Sequence, residues 1–223
     1  MEQGPVGTAR RVVLFDFDGV LIRGDTFAMF MRDRYTRASW RKGLVLLLSP
    51  WLLLVLPFSR RHVLRSLVRL GLLGLNEARY RDLAQAFAVT LVHQPGHFVR
   101  EGLSALRRHQ AAGDRIVIVT GCEEGLARGV LAELGVTDVE VLASRLRAGR
   151  LGMRSDWHNI GHHKVELLAR HGIDAWQVAY SDSIQDLPML ALAAEAVLVN
   201  ATPKLCKRVE KALGRSVARV EWR

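Results

Sequence analysis

The sequence predicts an α/β fold built on a parallel sheet. Five short apolar runs rich in β-branched residues recur along the chain, and helical periodicity fills the intervals between them. Residues that carry chemistry also fall at the C-terminal ends of these runs, where open α/β sheets bind ligands. The runs are 12–17 (VVLFDF), 115–120 (RIVIVT), 139–143 (VEVLA), 177–180 (QVAY) and 196–199 (AVLV). Each has the length and composition of a strand buried on both faces. Helical patterns occupy 76–92, 103–112, 124–134, 164–171 and 203–213. Gly113-Asp114 breaks off the second, and Gly135, Gly172 and Gly214 stand where the last three should stop. Residues 145–154 (RLRAGRLGMR) alternate around Ala148-Gly149, which predicts a β-hairpin flap.

The 223 residues suffice for one sizeable domain, or for a core carrying a large insert. With 49% hydrophobic and 24% charged residues, the chain is expected to fold rather than remain disordered. Two cysteines, Cys122 and Cys206, exclude a disulfide scaffold and fit a reducing compartment. Residues 1–11 contain no apolar run, so no signal peptide is expected there.

Formal net charge is +10, which points to acidic partners: nucleic acid, an anionic membrane surface or phosphorylated substrates. Its distribution narrows the choice. Between positions 34 and 75 lie eight basic residues and no acid: Arg34, Arg37, Arg41, Lys42, Arg60, Arg61, Arg65 and Arg69. They enclose an uncharged run, 43–58 (GLVLLLSPWLLLVLPF). A nucleic-acid surface mixes its cations with polar and aromatic groups and does not surround a leucine-rich plug, so no nucleic-acid partner is expected.

Four segments place reactive groups at predicted strand ends. Asp16-Phe17-Asp18-Gly19 closes the first strand; acids spaced by two share a face of an extended chain, and Gly19 permits a sharp turn beyond them. Thr120-Gly121 closes the second, Lys164 opens a helix, and Asp182 and Asp186 stand four apart before Pro188, placed to start a helix. Singly, each has a plainer reading as a turn, cap or solvated residue. Together they mark one end of one sheet.

These motifs, above all DFDGV and YSDSIQDLPML, resemble the haloacid dehalogenase-like (HAD) superfamily, in this order and over nearly the whole chain. The resemblance implies a Rossmann-like parallel sheet with helices on both faces and an α-helical cap inserted after strand one. The catalytic core would be residues 1–24 and 95–223, and the cap residues 25–94. It implies a phosphatase in which Asp16 is the nucleophile, forming an aspartyl-phosphate, and Asp18 the general acid and then base. At ~3 Å and an effective dielectric of about 20, a carboxylate beside a phosphate charge costs on the order of 5 kcal/mol per pair. A divalent cation must offset this, and hard oxygen ligands with phosphate select Mg²⁺. Asp16, Asp182 and the backbone carbonyl of Asp18 are the expected ligands, with Asp186 orienting a ligand or metal-bound water from behind. Thr120, the amides near Gly121, and Lys164 would hold the phosphoryl oxygens. An acid at position 18 matches the family's phosphatases. His158, His162 and His163 lack a matched second set of transition-metal ligands, and Cys122 lacks a partner base, so neither set is read as functional.

The insert carries a second expectation. Residues 43–58 would extend about 24 Å as a helix, short of a ~30 Å hydrocarbon core, and Pro50 predicts two broken helical pieces. Basic pairs at both ends favour a hairpin with its two ends on one cytoplasmic side. Arg61, Arg65 and Arg69, four apart, form the stripe of a helix lying in an anionic interface. Residues 40–75 are therefore expected to associate with a membrane. Within the superfamily the chain looks like subclass IB, which includes phosphoserine phosphatases, and most like the phosphatidylglycerophosphatase C family of the bacterial inner membrane. This implies a phospholipid monoester substrate on the cytoplasmic face. A soluble, cytoplasmic phosphatase of small phosphomonoesters and a non-catalytic lipid-binding module are the competing readings.

Overall fold

The computed structural model describes residues 10–55, 57 and 59–222. Residues 1–9, where no signal peptide is expected, and Leu56 and Phe58 at the end of the apolar run lie outside the described residues. The chain order is β1 (Val12–Phe15), α1 (Thr26–Arg37), α2 (Ser39–Val55), α3 (Arg60–Gly71), α4 (Glu77–Val92), α5 (Arg100–Ala111), β2 (Arg115–Glu123), α6 (Glu124–Glu133), β3 (Glu140–Gly149), β4 (Gly152–Trp157), α7 (His162–Arg170), β5 (Trp176–Ser181), α8 (Leu187–Leu192), β6 (Ala193–Val199), α9 (Pro203–Leu213) and β7 (Ala218–Val220). The described strands form one sheet in the order β4-β3-β2-β1-β5-β6-β7, parallel except for β4.

Sheet and helices pack as the α/β expectation requires. Successive strand residues alternate between two cores: Val13, Phe15, Ile116 and Ile118 face the side covered by α4, α5 and α6, whereas Leu14, Val117 and Val119 face α7, α8 and α9. Both faces are apolar because both are covered. Thr202 caps α9 and Pro203 opens it, and Gly214 closes it in the left-handed conformation.

Three local expectations need correction. The first strand ends at Phe15, not at position 17: the Asp16 amide still bonds the Tyr180 carbonyl at 3.0 Å, but the chain then turns, so Asp16 and Asp18 do not share the face of a strand. The flap turns at Arg150-Leu151 rather than Ala148-Gly149, because Gly149 pairs with Gly152. Finally, α2 runs unbroken through Pro50. Proline removes the bond to the carbonyl four residues back, and Ser49 replaces it by donating its hydroxyl to the Leu46 carbonyl at 2.7 Å.

The four helices between β1 and α5 position the rest. Helix α4 packs on α6, and the Tyr80 hydroxyl donates to Glu123 Oε2 at 2.6 Å where β2 meets α6. Helices α2 and α3 pair as a hairpin against α1, with Tyr35 donating to the Leu67 carbonyl at 2.6 Å. A Cβ at Gly71 would overlap the end of Met31, so this glycine lets α3 approach α1. The hairpin leaves its apolar side uncovered: Leu46, Leu47, Leu53 and Leu54 are 66–75% exposed. Among the described residues no helix is long and apolar enough to cross a membrane.

Candidate active site

Asp16 directly follows β1, Thr120 lies in the C-terminal half of β2 and Ser181 ends β5; these three strands are neighbours and parallel, so the three residues fall towards one edge of the sheet. Into this edge reaches Lys164, from the first turn of α7. Lys164 is buried, so it is no solvated helix charge. Its Nζ lies 2.8 Å from Asp186 Oδ2 and 3.1 Å from Asp16 Oδ1. Asp16 Oδ1 also accepts the Phe17 amide at 2.8 Å. Asp186 is held from the other side by the Ser181 hydroxyl at 2.7 Å.

Asp182 closes the group. Gly19 follows Asp18 with φ +78°, and a Cβ there would overlap the Asp182 carboxylate. The glycine therefore serves two needs: a left-handed turn and close approach of the carboxylate. Asp18 turns towards α1, where its Oδ1 accepts the Thr26 amide at 3.0 Å and the Thr26 hydroxyl at 2.5 Å.

The electrostatics follow from packing acids around one cation in a poorly hydrated site. Burial pushes Asp16 well above the usual carboxylate range; Lys164 pulls it back while Asp186 and Asp182 push it further. Burial would lower Lys164, but Asp16 and Asp186 outweigh it and hold the ammonium above its ordinary value. Burial raises Asp182, with Asp186 adding to the effect. Burial lifts Asp18 to about 6 against the two bonds from Thr26, with Asp25 and Asp182 contributing.

Thr120 is fully buried within β2, and its hydroxyl accepts the Cys122 amide at 3.0 Å; Glu123, not Thr120, caps α6. Burial, with Asp18 and Glu123 nearby, raises the Cys122 thiol well above its ordinary value and keeps it protonated. Burial, with the charges of His163 and Arg65 adding to it, depresses His158.

Sequence reasoning missed three residues that hold the group in place. Thr26 and Ser181 anchor Asp18 and Asp186; both sit within or beside the quoted motifs, but only their partners reveal their use. Asn159 has no local signature at all. It is wholly buried, its Nδ2 donates to the carbonyls of Leu142 (2.9 Å) and Thr120 (3.2 Å), and its amide donates to Ser144 Oγ at 2.9 Å. Replacing Asn159 with Ala should remove the amide bonds that tie the Leu142 and Thr120 carbonyls to this loop and lower unfolding free energy by about 2–4 kcal/mol. Urea titration would measure this, and a loss below about 0.5 kcal/mol would reject the anchoring role.

Residues 13–191 match the family model described as haloacid dehalogenase-like hydrolase. Protein CicA of Caulobacter vibrioides (strain NA1000 / CB15N) is 29% identical over 202 residues, covering 86% of this chain and 87% of that protein. A crystal structure of a protein with unknown function from Bordetella pertussis Tohama I superposes with a TM-score of 0.70 at 20% identity, covering 95% of this chain and 99% of the other. A substrate-bound phosphoserine phosphatase complex gives a TM-score of 0.58 at 16% identity, covering 96% and 93%. At these identities the two structures establish a shared fold.

Proposed function

Because the chain belongs to the haloacid dehalogenase-like hydrolases, we propose that it hydrolyses a phosphomonoester through an aspartyl-phosphate on Asp16, and that the ester is carried by a phospholipid at a membrane surface. The observation that carries the first half is the convergence of Asp16, Lys164, Asp182 and Asp186 on one sheet edge. In the first step an Asp16 oxygen attacks phosphorus, the bond from phosphorus to the ester oxygen breaks, and Asp18 gives that oxygen its proton. In the second, Asp18 takes a proton from water, whose oxygen attacks phosphorus and releases phosphate and the Asp16 carboxylate. The Phe17 amide and Lys164 both fall on Asp16 Oδ1, which leaves Oδ2 for phosphorus. Asp18, raised by burial and tied to Thr26, is placed to carry a proton. Lys164, Thr120 and the Gly121 amide bind phosphoryl oxygens, where negative charge concentrates.

The donor set suits Mg²⁺. Two carboxylates, Asp16 and Asp182, and the carbonyl of Asp18 supply hard oxygens. When bound, Mg²⁺ would neutralise charge shared by carboxylates and phosphate. Gly19→Ala should displace Asp182 and weaken Mg²⁺ affinity about 10–100-fold; calorimetric titration with Mg²⁺ checks this, and an unchanged affinity would remove Asp182 from the ligand set.

The lipid half rests on the helical segment, which we take as a cap of residues 25–94 resembling that of subclass IB and phosphatidylglycerophosphatase C. Isolated exposed leucines are ordinary, but a line of them on one helix is not. Exposed Lys42 at the start of this helix, and Arg65 and Arg69 on its partner, suit an anionic surface at the cytoplasmic face of a bacterial inner membrane, whereas Arg41 is buried. Helix α3 packs on β4 of the flap, which joins this surface to the sheet that carries the carboxylates. Phosphate release from phosphatidylglycerophosphate in mixed micelles, compared with phosphoserine and repeated with chelator, tests the reading. Lipid turnover that needs Mg²⁺ supports it. Indifference to the lipid with turnover of phosphoserine would replace it with the small-molecule phosphatase.

A further inference from the structure

Away from the carboxylate site, α1, the start of α2, the 72–75 loop and α4 enclose an open cleft of about 710 Å³. Two of its lining side chains are buried arginines, Arg34 (8% exposed) and Arg41 (6%). Burying guanidinium groups is costly unless they are paired, yet the Nε of each is buried without a partner. The Arg41 Nη2 has only a long contact to the Leu73 carbonyl at 3.4 Å. Among the described residues, no carboxylate lies within 4.0 Å of either; Asp33, the acid nearest in sequence, pairs with Arg37. Burial and mutual repulsion lower the Arg34 guanidinium's affinity for its proton, and burial does the same at Arg41. The rest of the lining is suited to a ligand. Trp40 stacks its ring 4.4 Å from the Arg41 guanidinium carbon, fixing its plane, while Arg79 adds a third cation at the rim and Asp82 the one acid. The floor is rigid: Gly74 donates to the Leu151 carbonyl at 2.8 Å, and Leu73 bridges to Gly152 of the flap.

We propose that this cleft binds a phosphate-bearing anion, with the Arg34 and Arg41 guanidiniums as its principal donors and Arg79 at its mouth. A tetrahedral oxyanion matches forked donors better than a single carboxylate does, since each guanidinium presents paired N–H groups. The anion is either free phosphate or the phosphate of a lipid headgroup, the latter reached because the cleft opens beside Trp40 at the root of the apolar hairpin. The site is separate from the catalytic carboxylates, and its occupancy does not depend on the proposed substrate.

The experiment titrates the full chain with inorganic phosphate by calorimetry, and separately measures its sedimentation with vesicles of phosphatidylcholine, pure or with one-third phosphatidylglycerol. Wild type is compared with Arg34→Gln/Arg41→Gln and with Lys207→Gln/Lys211→Gln, which removes equal charge from the distant α9. Loss of one phosphate-binding event in the first variant alone, about tenfold or more in affinity per guanidinium, with hydrolysis at saturating substrate retained, identifies free phosphate as the ligand. Unchanged phosphate binding, with phosphatidylglycerol-dependent sedimentation lost in the first variant alone, identifies a headgroup. Equal behaviour of the two variants, or no difference from wild type in either arm, overturns the proposal. Should the double variant fail to fold, judged by circular dichroism, Arg79→Gln and Trp40→Phe at the exposed rim carry the same test. These readouts report binding, so they stay informative if the catalytic reading fails.

Discussion

Asp16→Asn should reduce turnover at least about 10⁴-fold, equivalent to about 5.5 kcal/mol of barrier, because an amide cannot attack phosphorus to give the acyl-phosphate. The fold should survive. Asp16 is a buried acid whose ionisation is opposed by its surroundings, so a neutral isostere relieves repulsion from Asp186 and Asp182 while losing one contact to Lys164. Steady-state hydrolysis of a chromogenic phosphomonoester, alongside thermal melting, measures both effects. Retention of even a tenth of the activity would exclude Asp16 as the nucleophile, whatever the substrate.

The second large effect concerns the hairpin. Changing Leu46, Leu47, Leu53 and Leu54 together to glutamine should weaken partitioning to anionic vesicles about 10³-fold, taking ~1 kcal/mol for each partly inserted leucine. Stability should change little, since all four side chains are largely exposed and hold no core together. Vesicle sedimentation over a lipid titration gives the partition coefficient. Equal binding by variant and wild type would leave only electrostatic attraction, and an insoluble wild type made soluble by the change with no vesicle dependence would mark the face as a protein contact instead.

Much of the architecture was legible locally. Residues 12–15, 115–119 and 196–199 read as buried strands because a strand covered on both faces needs apolar side chains at every position. Strand β7 escaped because its three residues, Ala218, Arg219 and Val220, are too few and too polar to register. Helix α1 was not separated from the insert, although Asp25 caps it by accepting the Ala28 amide at 2.8 Å. From sequence Pro50 predicts a break, because the compensating hydroxyl of Ser49 acts only once the helix exists.

By itself the sequence determined the α/β class, the acids at strand ends and the interleaving of cations with an apolar run, because each is written in neighbouring residues or in a period of two or 3.6. Only the tertiary structure decided that Lys164 bridges Asp16 and Asp186, that Thr26 holds Asp18, that Asn159 supports Thr120, and that Arg34 and Arg41 are buried without acids. Those relations join residues far apart in the chain, and a side chain's partner and its solvent are fixed by packing, which no local pattern encodes.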